Sequence, residues 1–266
     1  MKKFNVICIK WGRWYPCEDV NKLCRSIKRN TSYDIDFYCF TDYSDGLDKD
    51  IIIKPMTHLN VVPEDNKYAY RKEAGLCDDN LGDLKGQRVF FFDLDSLIVG
   101  NLDEFFDYPE GDKFYIINDW NSRRGKKKNK VGQASCYSWV VGTLGYIKKY
   151  FEEHPKKVVE EFYTASQEYL SSKVIEKYGT LNFWPDNWFK SYRFHCLPVG
   201  IFRWFFDAKM PKEEGLKMIA FHGQPGIEEA IKGVWCDDPN NPKYPRGIKR
   251  LYKHCRPAPW VAEFWK

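Results

Sequence analysis

The sequence predicts an α/β protein with a central, mostly parallel sheet flanked by helices, and three observations carry the prediction. Strand-like and helix-like segments alternate along the first part of the chain, the pattern of strand–helix–strand units. Residues 89–92 (VFFF) form a continuous apolar run, as expected of a strand buried on both faces. That run stops at Asp93-Leu94-Asp95, two carboxylates at the carboxyl end of a buried strand, where open α/β sheets bind their ligands.

In chain order, residues 4–9 (FNVICI) read as the first strand, ending at Lys10-Trp11-Gly12-Arg13-Trp14-Tyr15. Pro16 then precedes a helix in which Val20, Leu23, Cys24 and Ile27 fall at i, i+3, i+4 and i+7. Residues 36–40 form a second strand closed by Thr41-Asp42, and residues 51–53 a third. Residues 68–76 (YAYRKEAGL) read as helical and bring Arg71-Lys72 just ahead of the central strand. After the paired carboxylates, residues 97–99 form a second short apolar segment. Residues 114–117 are a strand ending in Asn118-Asp119-Trp120, followed by the dense basic loop 123–130 (RRGKKKNK). A strand over 138–141 and helices near 146–154 and 157–178 come next. The stretch from Trp184-Pro185-Asp186-Asn187-Trp188 to Ser191-Tyr192 reads as an aromatic, polar loop. Residues 218–221 make a last short strand that runs into His222-Gly223-Gln224-Pro225.

Length and composition narrow the class. The 266 residues bury a substantial core and show no dividing linker, so a single domain is expected over 1–266. Within it, the alternating strands and helices of 1–100 are expected to form a nucleotide-binding half, followed by an elaborated second half over 101–266. A net charge of +5 is modest for this length and does not argue for nucleic acid; it suits an anionic ligand or an anionic membrane surface. The nine cysteines lack CxxC spacing, so neither a zinc site nor a disulfide framework is indicated, and Cys8, Cys39 and Cys136 read as buried thiols. The apolar run after Met1-Lys2-Lys3 is broken at Lys10; no signal peptide or spanning helix is read, and a cytoplasmic protein is the expectation. Ten Trp are a large number: aromatic faces suit sugar rings, although core packing is their ordinary use.

The chemistry centres on the carboxylate pair. In an extended segment residues i and i+2 point the same way, so Asp93 and Asp95 share a face while Leu94 turns into the core. Unpaired, they would repel, and a divalent cation is the simplest companion. His222, at a strand end and followed by glycine, can supply an imidazole nitrogen as a third ligand, and mixed carboxylate and imidazole donors suit Mn²⁺ somewhat better than Mg²⁺. A structural histidine is the plain alternative. The loop after the first strand is a natural seat for a base and ribose, where Lys10, Trp11 and Tyr15 offer stacking and charge; a surface loop with an apolar anchor is the plain alternative. Lys72 is read either as part of a solvated basic pair or as facing a diphosphate. The run 123–130 is ordinarily a solvated loop; its functional readings are a lid over a phosphate donor or a peripheral contact with anionic lipid.

Residues 90–106 resemble the LDxDxxxxxxLDELF segment of family 8 type glycosyltransferases, the group that includes glycogenin and bacterial lipooligosaccharide galactosyltransferases. The likeness extends to a bacterial branch of GT-A proteins with WGxxY, CFTD, LNxWPDxWxxSY and FHGxP segments. Here these are Trp11-Gly12-Arg13-Trp14-Tyr15, Cys39-Phe40-Thr41-Asp42, residues 181–192 and Phe221-His222-Gly223-Gln224-Pro225. The resemblance implies a Rossmann-like GT-A fold and transfer of a hexose from a UDP-sugar to an acceptor hydroxyl of a glycan or lipid-linked saccharide. It implies metal ligation by Asp93, Asp95 and His222, and retention of configuration. It puts Lys10, Trp11, Tyr15, Thr41, Lys72 and Gly223 beside the donor, and leaves Glu168 and Asp119 as candidates for contact with the donor sugar.

Three segments depart from that pattern: Gln133-Ala134-Ser135 stands where the family has Asn-Ser-Ser or Asn-Ser-Gly, Ser166-Gln167-Glu168 where it has Asp-Gln, and Gln224-Pro225 where a basic residue commonly holds diphosphate. A GT-A-shaped protein that binds a nucleotide sugar without turnover is therefore an alternative. VFFFDLDSL is also similar to the DxDG[TS]L nucleophile motif of haloacid-dehalogenase-type phosphatases, although that motif lies on the first strand and has Gly-Thr after its second Asp.

Overall fold

The structure, a computed structural model, describes residues 2–13, 15–61, 70–120, 131–162 and 166–266, the side chain of Arg71 excepted. Trp14, the first two residues of the helix expected over 68–76, and the basic loop 123–130 lie outside the described residues. The chain divides into two compact units: Met1–Asn21, Tyr33–Leu94 and Glu104–Trp184 form the first, and Lys22–Ser32, Asp95–Asp103 and Pro185–Lys266 the second.

The first unit holds a seven-stranded sheet. Its strands are β1 (Lys3–Lys10), β2 (Asp34–Thr41), β3 (Ile51–Pro55), β4 (Arg88–Phe92), β6 (Tyr115–Asn118), β7 (Gly132–Val140) and β8 (Asn182–Phe183), in the order β3-β2-β1-β4-β7-β6-β8. β1 pairs in parallel with β2 from Lys3↔Asp34 to Lys10↔Thr41, and with β4 from Asn5↔Val89 to Ile7↔Phe91. The β2–β3 and β6–β8 pairings are also parallel, while β7 runs antiparallel to both β4 and β6. The expected mostly parallel sheet is therefore present.

The apolar run explains why β4 is central. Phe90 and Phe92 both meet Phe105, with ring centroids at 5.3 and 5.5 Å, while Phe91 lies 4.7 Å from Tyr137. Successive side chains thus enter cores on opposite faces, and Phe90, Phe91 and Phe92 are all fully buried. Removing each ring from water contributes on the order of 2–3 kcal/mol.

Helix α1 (Cys17–Arg29) buries Val20, Leu23, Cys24 and Ile27, as the spacing predicts. Its acidic first turn and basic last turn complement the helix dipole. α2 is only Tyr70–Glu73, continued by a 3₁₀ turn over Gly75–Cys77. α3 (Asp103–Asp107) presents Phe105 and Phe106, and α4 (Gly145–Glu153) is the helix expected near 146–154.

Three sequence expectations need correction. β7 begins at Gly132 rather than near 138, because the small polar residues of QASC carry no apolar signal yet are buried between β4 and β6. Gly132 itself is required there: a Cβ would come within 2.5–2.8 Å of the Ile116 side chain. The single helix expected over 157–178 is two, α5 (Pro155–Glu161) and α6 (Ser166–Tyr178). The aromatic loop after Trp184 contains a strand, β9 (Phe189–Ser191), and a π turn over Tyr192–Cys196.

In the second unit β9 joins a three-stranded sheet with β5 (Ser96–Ile98) and β10 (Met218–Ala220), in the order β5-β10-β9. β10 is antiparallel to β5 and parallel to β9. α7 (Ile227–Lys232) and α8 (Pro259–Phe264) complete the unit, with 3₁₀ turns over Gly200–Trp204 and Gly247–Leu251. Cys8, Cys39 and Cys136 are buried free thiols, as expected. Among the described residues, no helix is long and apolar enough to cross a membrane.

Candidate functional site

Strand direction decides which residues gather in the first unit. β1, β2, β3 and β4 are parallel, so their carboxyl ends, at Lys10, Thr41, Pro55 and Phe92, share one edge of the sheet. β7 is reversed, which brings its start to that edge, and β6 is reversed again, which adds Asn118 and the following Asp119. The order β3-β2-β1-β4 changes direction at β1, the kind of switch point where open sheets leave a crevice beyond the strand ends. The edge therefore collects Lys10, Thr41, Asp93, Asp119 and Gln133 from five strands.

Asp93 is the best defined of these. Its backbone N–H donates to the Ser135 carbonyl (2.9 Å), and its carboxylate accepts from Lys72 Nζ at 2.7 Å. In this structure the Asp93 carboxylate is therefore paired with an ammonium. Lys72 Nζ also lies 3.5 Å from Glu73 Oε1, which sequence reasoning missed. Glu73 is buried, and desolvation holds its carboxyl above the usual range, while Lys72 and a hydrogen bond with Ser166 pull the other way. Its signal was periodicity: Tyr70, Glu73 and Cys77 fall on one helical face, and all three are buried.

Short as it is, α2 is firmly held. Tyr70 stacks on Phe151 at 4.7 Å and donates to the Phe162 carbonyl (3.3 Å), while Tyr137 donates to the Lys72 carbonyl (3.2 Å).

Lys10 and Thr41 are engaged locally. Lys10, 1% exposed, donates to the carbonyls of Gly12 (2.9 Å) and Tyr43 (3.3 Å), tying the loop after β1 to the loop after β2. Gly12 N–H reinforces that tie with a bond to Asp42 (2.7 Å). Thr41 Oγ1 accepts from Tyr43 N–H (3.1 Å). Trp11 packs against the hydrophobic core and is half-buried, as is Tyr15.

Asp119 is 2% exposed and donates its N–H to Val131 O (3.1 Å). The Gln133 amide bonds Ser135 twice, donating to Oγ (2.8 Å) and accepting from N–H (2.9 Å). Gln167 accepts from Ala134 N–H (3.3 Å), which brings the first turn of α6, with the half-buried Glu168, to the same edge.

The second unit carries Asp95 and His222. Ala220 pairs with Ser96, and Phe221 N–H donates to the Asp95 carbonyl (3.0 Å), so Asp95 lies across from Phe221 and one residue from His222. His222 Nε2 and Ser191 Oγ are hydrogen-bonded at 2.7 Å, and Ser191 Oγ also accepts from Phe194 N–H (3.3 Å). Burial, aided by the nearby positive charges of Arg193 and His195, pushes the His222 pKa down to about 4. The ring is therefore neutral at physiological pH, the state a metal ligand needs. Gly223 has φ near 90°, a backbone region that favours glycine. Gln224 donates to the Glu229 carboxylate (3.0 Å), which also caps α7 by accepting Gly226 N–H (2.7 Å). Ser191 was legible only as part of an aromatic loop, since its role depends on the unpredicted strand β9.

The donor types of Asp93, Asp95 and His222 suit a divalent cation: two hard carboxylates and a neutral imidazole. Among the described residues, no three His, Cys, Asp or Glu side chains are grouped as a metal shell.

No protein-family profile matches the chain, and no curated protein is similar to it in sequence. Solved structures are similar in fold. The galactosyltransferase LgtC, in complex with donor and acceptor sugar analogues, superposes with a TM-score of 0.56 at 12% identity, covering 84% of this chain and 89% of LgtC. An active-site mutant of LgtC gives 0.54 at 11% identity over 93% and 94% of the two chains. The glycosyltransferase GlyE of Streptococcus pneumoniae TIGR4 gives 0.54 at 14% identity, covering 84% of this chain and 56% of GlyE. The fold is GT-A. It also removes the ground for the phosphatase alternative, because the DLD segment follows the fourth strand, with β1 and its crossover already in place.

Proposed function

We propose that the chain is a glycosyltransferase that moves a hexose from a UDP-sugar to an acceptor hydroxyl of a glycan or lipid-linked saccharide. The observation that carries the reading is Asp93 at the carboxyl end of the buried central strand of a GT-A sheet, on the edge that also gathers Lys10, Thr41, Lys72 and Asp119. The similarity to LgtC, solved with donor and acceptor sugar analogues, supports it.

In this reading the loops after β1 and β2 receive the nucleotide, their shape fixed by the Lys10 and Asp42 bonds. Asp93, Asp95 and His222 would hold Mn²⁺ or Mg²⁺, which when bound supplies positive charge to the departing diphosphate. Lys72 holds the Asp93 carboxylate in place from the other side. Glu168 and Asp119 orient the donor sugar, and transfer retains configuration.

Calorimetric titration of UDP and GDP, each with Mn²⁺ and with EDTA, tests the proposal. Manganese-dependent binding selective for UDP, with slow hydrolysis of a UDP-sugar in the absence of acceptor, is expected. Failure of both nucleotides to bind would overturn it; UDP binding without hydrolysis or transfer would favour the non-catalytic alternative.

A further inference from the structure

Large exposed hydrophobic side chains are concentrated in the second unit. Of the fourteen among the described residues, ten lie between Val199 and Tyr252, in two segments around the 3₁₀ turns at Gly200–Trp204 and Gly247–Leu251. Phe202, Phe205 and Phe206 are 57–66% exposed and Ile248 is 77% exposed. Monomeric soluble proteins rarely gather such residues in one place without a partner.

The two segments form one surface. Trp204 Nε1 donates to the Leu251 carbonyl (2.9 Å), and Arg203 donates to the Tyr252 carbonyl (2.7 Å). The Trp204 and His254 rings stack at 3.7 Å, and Arg256 closes the other side through Asp207 at 2.8 Å and the Phe205 carbonyl at 3.3 Å. These bonds fix the backbone of both turns while leaving the apolar side chains outward.

Charge indicates what the surface meets. Residues 199–210 and 246–256 contain seven Lys and Arg against one acidic residue, Asp207, which Arg256 already neutralises. Lys209, Arg246, Lys249 and Arg250 are exposed around the apolar residues. A protein partner of ordinary composition would not need so one-sided a rim. Aromatic and aliphatic side chains standing out of a basic surface match the interface of an anionic bilayer, where rings enter the headgroup layer and cations meet lipid phosphates.

We infer that this face of the second unit, built on residues 199–210 and 246–256, docks the protein peripherally on an anionic lipid surface. The inference stands whether or not the transferase reading does.

The test is flotation of the full chain with vesicles of phosphatidylcholine alone and of phosphatidylcholine with phosphatidylglycerol. Binding is expected only to the anionic vesicles, weakened by 0.5 M NaCl as screening requires. Each basic residue near the surface is worth about fivefold, so K249E/R250E should lower the partition coefficient on the order of 25-fold or more. F205A/F206A should lower it about tenfold or more, through loss of buried apolar area. Thermal melting of each variant verifies that the remainder of the protein is intact. Two results would overturn the inference: wild-type protein that does not float with anionic vesicles, or variants that float as well as wild type. A concentration-dependent dimer abolished by F205A/F206A, without vesicle binding, would assign the face to a second copy of the chain.

Discussion

The polar residues beyond β4 and beyond β10 are settled in opposite ways. Asp93 is paired with an ammonium at 2.7 Å, and Lys72 in turn reaches the buried Glu73 at 3.5 Å. Burial, with Arg193 and His195 adding to it, brings the His222 pKa down to about 4, and the ring is neutral. Pairing preserves a charge only while the partner stays, whereas neutralisation leaves a lone pair that needs no partner ion. One region therefore holds a paired carboxylate, and the other a neutral imidazole.

The sharpest way to break the comparison is Asp93→Ala. If Asp93 exchanges Lys72 for a divalent ion that carries the diphosphate, manganese-dependent UDP affinity should fall by more than about 100-fold in calorimetry. An affinity within twofold of wild type removes Asp93 from the ligand set.

The neutral histidine makes a prediction about pH. Its folded pKa, about 4, lies below the ordinary 6.5, so between these values the unfolded chain binds the proton that the folded chain refuses. Stability is unaffected above pH 6.5, declines as pH falls through the window, and stops declining from this source below about 4. The total is about 3 kcal/mol at most. Urea midpoints measured from pH 7 to pH 4 should show this slope in wild type and a flatter one in His222→Gln. Equal slopes would mean that His222 is protonated in the fold.

The smallest effect concerns the ion pair. Lys72→Met leaves Asp93 and Glu73 facing each other without the ammonium and should cost roughly 2 kcal/mol in chemical denaturation, a figure reduced by the partial exposure of the pair. Adding Asp93→Asn should recover part of that loss. A fully additive double mutant would show that the two side chains touch without coupling.

How much of this was legible beforehand differs between the two regions. Residues 89–92 announced a doubly buried strand, and the VFFF faces do alternate between Phe105 and Tyr137. The i, i+3, i+4, i+7 set in α1 was equally direct. The three-stranded sheet was not: β9 is three residues of FKS between aromatic turns, and only its pairing with β10 makes it a strand. β7 was half hidden for a similar reason, since Gln133, Ser135 and Ser138 are buried among strands and hydrogen-bonded rather than apolar. Glu73 escaped because a charged letter in a short helix reads as surface unless the buried face is counted first.

By itself the sequence determined the α/β class, the central strand, and the placement of a carboxylate pair at that strand's carboxyl end. Those features depend on local periodicity and on runs of apolar residues, which a chain carries wherever it folds. Only the tertiary structure decided that Lys72 answers Asp93, that His222 is neutral beside Ser191, and that Phe202, Phe205 and Phe206 remain outside the core. Each of these depends on which distant segment arrives next to it. Burial, partner charge and exposure belong to the packed neighbourhood, and no window of sequence contains them.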